Sequence, residues 1–339
     1  MKSRYGNLVA KTLLACSIFS ISLMNSAKAQ HLSFADKVEI GVNFGPTFFL
    51  GDLGGNAGYG TKFIKDVNLE LTKVMRGGFI SVYPAEWIGF RLAGQITYVE
   101  GRDNIINTDG INELWRKQRN LDFRSKMWEV YSAVEFHPLV FLNRNNEDGY
   151  RPKISPYGFV GVGVFHFDPE GSLVDQNGVR TWHKLHPLRT EGQGMTEYPE
   201  KKPYTTTQYN IPLGCGVKIA LGERFNTSFE LLYRQTFTDY IDDVSTSYID
   251  PDYFDRYLTP AQADIARQIH DKTVGIITPG INRYEPGTQR GNVNNNDAYF
   301  SLLIKFGFRF GGNDEDGGGL FGNSSIKRAK RQTRCPHFY

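Results

Sequence analysis

The 339-residue chain is poor in cysteine, with three, and its seven histidines are scattered. No C-x-x-C or H-x-x-x-H spacing occurs. Neither a zinc site nor a disulfide framework is therefore written into the sequence. Charge of one sign is also lacking. Thirty-nine basic side chains face 36 acidic ones, for a net charge of +3, too even a balance to argue for nucleic acid. Past residue 30 no run of about 18 apolar residues appears, which excludes membrane-spanning helices. Mean hydropathy is −0.41. Aromatics and glycine are abundant instead: 24 Phe, 18 Tyr, 4 Trp and 36 Gly. Together they fit an all-β chain, and a membrane barrel in particular, whose aromatics form girdles at the two interfaces.

The beginning of the chain has the pattern of an export signal. Lys2, Arg4 and Lys11 precede a mostly apolar stretch from Thr12 to Met24, and Ala27-Lys28-Ala29 offers the small residues a signal peptidase reads. Cleavage after Ala29 is expected, making residues 1–29 a signal peptide. Leu13-Leu14-Ala15-Cys16 resembles a lipobox, but Lys11 lies too close to Cys16 and apolar residues continue beyond it.

In the remaining chain the signal has period two. Val38, Ile40, Val42 and Phe44 alternate with polar or small residues, as on a strand with one apolar face. The same alternation recurs from Ile88 to Tyr98, from Trp128 to Phe136, from Tyr209 to Ile219, from Phe229 to Phe237 and from Phe300 to Phe310. Residues 76–83 and 154–167 complete a set of about eight strands, of the roughly 10–14 residues that a tilted membrane-crossing strand needs. Tight turns near 84–87 and 222–226 and a medium connection near 138–153 alternate with long ones near 51–70, 101–124, 168–205 and 240–296. This is the turn-and-loop asymmetry of outer-membrane barrels. A soluble sandwich is the rival. Against it stand the sparse polar faces and loops of about 40 and 55 residues, uncommon in a compact soluble domain. The expectation is an all-β, eight-stranded antiparallel transmembrane barrel over residues 30–310, with both termini in the periplasm.

If the apolar faces meet lipid, the lumen receives Glu39, Arg91, Gln95, Glu129, Glu135, Lys218, Glu230, Arg234, Lys305 and Arg309. Eight strands enclose a space that side chains fill, and buried charges there must pair. A packed ion-pair core is expected rather than a pore. No catalytic motif, cofactor motif or metal-ligand spacing stands out. His166 near Asp168 has no nucleophile beside it, and His183 and His186 fall in a loop. The acidic stretch Asp239, Asp242 and Asp243, with Asp250, Asp252 and Asp255, lacks the compact spacing of a Ca²⁺ loop. Thr259-Pro260-Ala261-Gln262 carries the marks of a capped helix start, with a short helix over about 259–271.

Residues 311–325 are rich in Gly, Asn, Asp and Ser, like a linker. Lys327, Arg328, Lys330, Arg331, Arg334, Cys335 and Phe338 follow. Residues 311–339 are thus either a solvated end or a periplasmic docking segment. Cleavage would leave Cys215, on an apolar strand face, and Cys335, beside Arg334. A free thiol and an intermolecular disulfide from Cys335 to a periplasmic subunit both fit the latter.

Four segments resemble a family. Arg234-Gln235-Thr236-Phe237-Thr238-Asp239-Tyr240-Ile241-Asp242-Asp243-Val244-Ser245 is similar to a segment of outer-membrane barrels from Bacteroidetes-type bacteria. Phe49-Leu50-Gly51-Asp52-Leu53 resembles the same group, as do Arg290-Gly291-Asn292 with Asn296-Asp297-Ala298-Tyr299 and the Arg334-Cys335-Pro336 ending. That family includes the PorG-like component of the type IX secretion system. The resemblance implies a non-enzymatic barrel that anchors a periplasmic ring, a lipoprotein and its partner subunit, of the secretion and gliding-motility machinery. The alternative is a surface-binding or small-solute channel barrel acting through its long outer loops.

Overall fold

The computed structural model describes residues 38–53, 69–106, 111–142, 152–222, 224–273 and 285–310. Eight antiparallel strands form one closed barrel: β1 (Val38–Leu50), β2 (Lys73–Ala85), β3 (Ile88–Arg102), β4 (Asp122–Phe136), β5 (Ile154–Val174), β7 (Thr207–Ala220), β8 (Phe225–Thr236) and β9 (Ala298–Arg309). Each pairs with its neighbour in sequence, except that β6 (Arg180–Lys184) folds back only on the outer end of β5, and β1 pairs with β9 to close the ring. Helices α1 (Ile111–Arg119), α2 (Pro138–Leu142), α3 (Phe254–Tyr257) and α4 (Pro260–His270) lie in the connections.

The alternation in sequence becomes an inside and an outside. Val42, Ile80, Phe90, Leu92, Val130, Val160, Val162, Phe229, Leu302 and Phe306 all face outward and exposed. A belt of aliphatic and aromatic side chains around a closed ring is what lipid requires and water penalises. Its lower rim carries Trp87, Phe136 and Phe141, packed edge to face, with Phe225, Phe308 and Phe310. Its upper rim carries Tyr98, Trp128, Tyr209 and Phe237. Directly above Trp128 the outward face turns charged: Arg124 pairs with Glu170 at 2.7 Å, and Lys184 with Asp168 at 2.7 Å. That switch marks the edge of the hydrocarbon.

The short turns, β2 to β3, β4 to β5 and β7 to β8, share one end with Val38 and Arg309. The four long connections share the other. Three strands run further than their apolar alternation indicates. β5 has 21 residues and continues to Val174, inside the segment expected as loop 168–205, while β3 reaches Arg102 and β4 starts at Asp122. Above the lipid the outward face has no reason to be apolar, so the pattern stops at the membrane while the strand continues. The turn between β5 and β6 is held by Asp175, whose carboxylate accepts from the N–H groups of Asn177 and Val179. The expected helix after Thr259 is α4, with Thr259 and Gln262 closing a capping box and Ala263, Ala266, Ile269 and His270 on its buried side.

Candidate functional site

Paired charges and aromatic rings occupy the lumen, leaving a cavity at the short-turn end lined by Glu39, Tyr83, Glu86, Lys218 and Arg309. At the short-turn end Arg309 pairs with Glu86 at 3.0 Å and Lys218 with Glu39 at 3.1 Å. The Tyr83 hydroxyl donates to Glu135 and accepts from Lys218. In the middle Arg91 bridges Glu135 and Glu230, the latter at 2.8 Å, and Lys305 reaches Glu230 at 3.0 Å. Tyr157 donates to Glu230 at 2.6 Å. One level higher Arg234 contacts Glu129 at 3.1 Å, Gln95 at 2.9 Å and Ser301 at 2.7 Å. The cations lie over rings, Arg91 over Phe159 at 4.8 Å, Lys305 over Phe79 at 4.3 Å and Arg234 over Tyr299 at 4.9 Å. Every cation here thus has both a carboxylate and an aromatic face or hydroxyl, which offsets its removal from water.

Two kinds of lumenal group escape a reading of the sequence. Glu86 sits in a turn, outside any alternation, yet it pairs with Arg309. The hydroxyls of Tyr83, Tyr131 and Tyr157 complete the network, although aromatics on an inward face look like packing alone. Phe123, Met127, Phe165 and Phe167, all buried, stack above the charged layers.

The long-loop end is covered by a cap that includes residues 103–106, 111–121, 185–206, 237–273 and 285–297. Its apolar centre includes Leu185, Met195, Ile241, Val244, Ile249, Phe254, Ala266 and Ile269. Two arginines tie the segments together. Arg119, at the end of α1, holds Asp103 at 2.8 Å and donates to the carbonyls of Asp52 and Arg290. Arg290 holds Glu191 at 3.0 Å and donates to the carbonyl of Asp243. Glu191 in turn accepts from the backbone N–H groups of Ser245 and Thr246 and from the Thr246 hydroxyl. Asp243, in a left-handed conformation with φ of 61°, accepts from Thr190 and from Tyr204. Burial pushes its carboxyl up to about 6 even with Arg290 beside it. His270 is buried with both ring nitrogens on main-chain carbonyls, of Thr190 and Ile249, and burial lowers it to about 4.

The acidic stretch noted in the sequence divides. Asp239, Asp242 and Asp243 are buried within the cap. Asp250 caps a turn through the Asp252 N–H, and Asp255 pairs with Arg267 on α4. His166 bonds Thr207 and Asp168 bonds Lys184, so these two do not address each other. His183 bonds Thr181, and His186 the carbonyl of Tyr204. Cys215 is a free, outward-facing thiol in the belt. Residues 1–29 and Lys327, Arg328, Lys330, Arg331, Arg334, Cys335 and Phe338 lie outside the described residues.

No known family matches the sequence, and no curated protein matches it. Solved structures do. Ail, the attachment invasion locus protein of Yersinia pestis, is 9% identical over 81% of this chain and 99% of its own, with a TM-score of 0.31. Neisserial surface protein A is 7% identical over 80% and 97%, at 0.32. OprG from Pseudomonas aeruginosa is 10% identical over 81% and 97%, also at 0.32. Likenesses of this size do not extend to what those proteins bind. By its closed ring of eight strands and its apolar belt, the chain is an outer-membrane β-barrel.

Proposed function

We propose that the protein is a non-enzymatic surface barrel whose working part is the cap at its long-loop end, presented outside the cell as a rigid platform for a partner. The observation that carries this reading is the double clamp of Arg119 and Arg290. It fixes four separate chain segments in one arrangement. A barrel that only closed its own lumen would need none of it, because the lumenal ion pairs already fill the barrel below. Rigid presentation lowers the ordering cost of binding. The same filled lumen argues against a small-solute channel. The short-turn end, with both ends of the described barrel, then faces the periplasm.

A second reading has its own observation. The segments around Asp52, Asp239 and Asp297 resemble barrels of the family that includes the PorG-like component of the type IX secretion system. In this reading the protein anchors a periplasmic ring lipoprotein and its partner through residues 311–339. Lys327, Arg328, Lys330, Arg331, Arg334 and Phe338 would dock, and Cys335 would form an intermolecular disulfide.

Two deletions separate the readings. Replacing 185–206 by a short turn abolishes partner capture from intact cells if the cap is the working part, and deleting 311–339 leaves it intact. The reverse result supports the periplasmic anchor and overturns the first reading. A Cys335-dependent higher-mass band on non-reducing gels of whole envelopes would add to the second.

A further inference from the structure

One cation faces outward within the apolar belt. Arg76 stands on β2 opposite Phe44 on β1 and Ile96 on β3, and Ile96 stands opposite Trp128 of the upper rim. Its side chain is exposed, on the same face of the strand as Val74 and Ile80. Among the described residues it has neither a carboxylate nor a hydrogen-bond acceptor. Tyr98, two residues on from Ile96, faces outward as well and is 48% exposed. It is the diagonal neighbour of Arg76, at a spacing of about 7–8 Å that long and aromatic side chains bridge. Its hydroxyl also has no partner among the described residues.

The charges above the belt are different, for Arg124 and Lys184 each hold a carboxylate. A bare cation on a lipid face is unfavourable, and more so with distance from the interface. An arginine so placed extends its head toward the lipid headgroups while its stem lies along apolar surface. The anion it meets there is phosphate.

Below Arg76 the belt has a gap. Gly78 on β2 and Gly94 on β3 stand opposite each other on the outward face, between Val42 on β1 and Val130 on β4. Packing does not demand glycine at either position. At Gly41, Gly45, Gly161 and Gly214 a Cβ would collide with a main-chain oxygen. A Cβ on Gly94 would meet nothing within 4 Å, and one on Gly78 only the Gly41 carbonyl oxygen at 3.4 Å. Neither residue has a positive φ. Glycine inside a strand weakens it, and is found where another molecule approaches the backbone closely. Around the pair, Val42, Ile80, Leu92, Ile96 and Val130 all project outward and are exposed. The result is an apolar groove with Arg76 at its upper end.

We propose that this part of β2 and β3 binds one phosphorylated acyl lipid from the leaflet around the long-loop end. The Arg76 guanidinium takes the phosphate, since its planar fork matches two free oxygens of a phosphodiester and its single charge matches theirs. The Tyr98 hydroxyl donates to the same group. An acyl chain lies in the groove over Gly78 and Gly94. The occupant is a lipid and not free phosphate, because an inorganic ion would leave the apolar groove below the cation uncovered. The site rests on the belt and is independent of what the cap binds.

The test is native mass spectrometry of the full-length protein in dodecyl maltoside, stripped of lipid and titrated with dioleoylphosphatidylglycerol. One lipid is expected to be retained above the statistical background. Arg76→Gln should weaken its retention roughly tenfold or more, the worth of a charge-assisted hydrogen bond. Gly94→Leu, which fills the groove and leaves the cation in place, should weaken it as well. Lys202→Gln, at an exposed cation of the cap, should leave it unchanged. Dioleoylglycerol, with the same chains and no phosphate, should bind as weakly to the wild type as the phospholipid binds to Arg76→Gln. Excess inorganic phosphate should not displace the lipid. Equal retention by Arg76→Gln, equal binding of dioleoylglycerol, or displacement by inorganic phosphate overturns the proposal. So does retention that Gly94→Leu leaves intact. Heat-modifiable migration on gels verifies that each variant forms the barrel. Should Gly94→Leu fail to fold, Arg76→Gln and the two comparison ligands decide without it.

Discussion

Glu191 and Arg290 form an ion pair at 3.0 Å with both side chains buried, although they stand 99 positions apart in the chain. The pair joins the segment after β6 to the one before β9. Truncating one member strands the other charge in the interior, which costs about 3–5 kcal/mol. Arg290→Ala is therefore expected to loosen the cap and leave the barrel standing. Hydrogen exchange over 185–206 and 237–273 should rise sharply while heat-modifiable migration persists. Unchanged protection in those segments would refute the clamp.

Glu230 carries the middle of the lumen, since Arg91, Lys305 and Tyr157 all converge on it. Glu230→Gln leaves two cations short of a partner, and a loss of about 3–5 kcal/mol is expected in urea unfolding from lipid vesicles. Adding Lys305→Met should recover part of that loss, because the sites are coupled. Strict additivity of the two changes would mean that the observed contact contributes nothing. Planar-bilayer recordings of the wild type should show no steady conductance.

The cap should also respond to pH. Burial and mutual repulsion raise Asp239 to about 9, raise Asp52, Asp242 and Asp297 as well, and bring Asp243 to about 6. Unfolded aspartate titrates near 4. Between those limits the folded cap holds more protons than the unfolded chain, so its stability falls as pH rises. His270 acts oppositely: lowered to about 4, it favours the folded state as pH rises to about 6.5 and is neutral above that. From pH 7 to 9 the raised aspartates are opposed by Lys201 and Lys272, which burial lowers, and with four carboxylates raised against two lysines hydrogen exchange in the cap, corrected for its intrinsic pH dependence, should increase. Exchange that slows across this interval would contradict the burial of these carboxylates.

Cys215 tests the depth of the belt. It is outward-facing between Leu213 and Val217. In intact outer membranes it should react with a lipid-soluble maleimide and resist a charged one, and detergent should abolish the difference. Equal labelling by the charged reagent would place this part of β7 in water.

The barrel was legible because lipid on one side and a packed lumen on the other impose period two on every strand. Val42, Phe90 and Phe306 declare the outside, and Glu39, Arg91 and Lys305 the inside. The strand extensions were not legible, since Glu100, Arg124 and Asp168 lie above the lipid, where the outward face is polar like the loops. Nor was the partner of Arg309, because Glu86 sits in a two-residue turn that belongs to no alternation. The cap was least legible. Its contacts join Asp52 to Asn292 and Glu191 to Arg290, pairs that no local pattern links. What could have been noticed is that the distinctive short segments share aspartate and glycine.

The seam between β1 and β9 bears on how the chain matures. Thr47 and Ser301 hydrogen-bond across it from 254 positions apart. A contact that distant forms late, because the intervening chain must be ordered first. Until the ring closes, Lys305 and Arg309 sit on an edge strand whose backbone groups lack one neighbour. Their carboxylates, Glu230 and Glu86, are nonetheless already supplied by earlier strands. The charged lumen thus works as a latch: two of its cations, Lys305 and Arg309, arrive on the final strand, and insertion of that strand completes the lumenal ion pairs and removes the last open edge in one step.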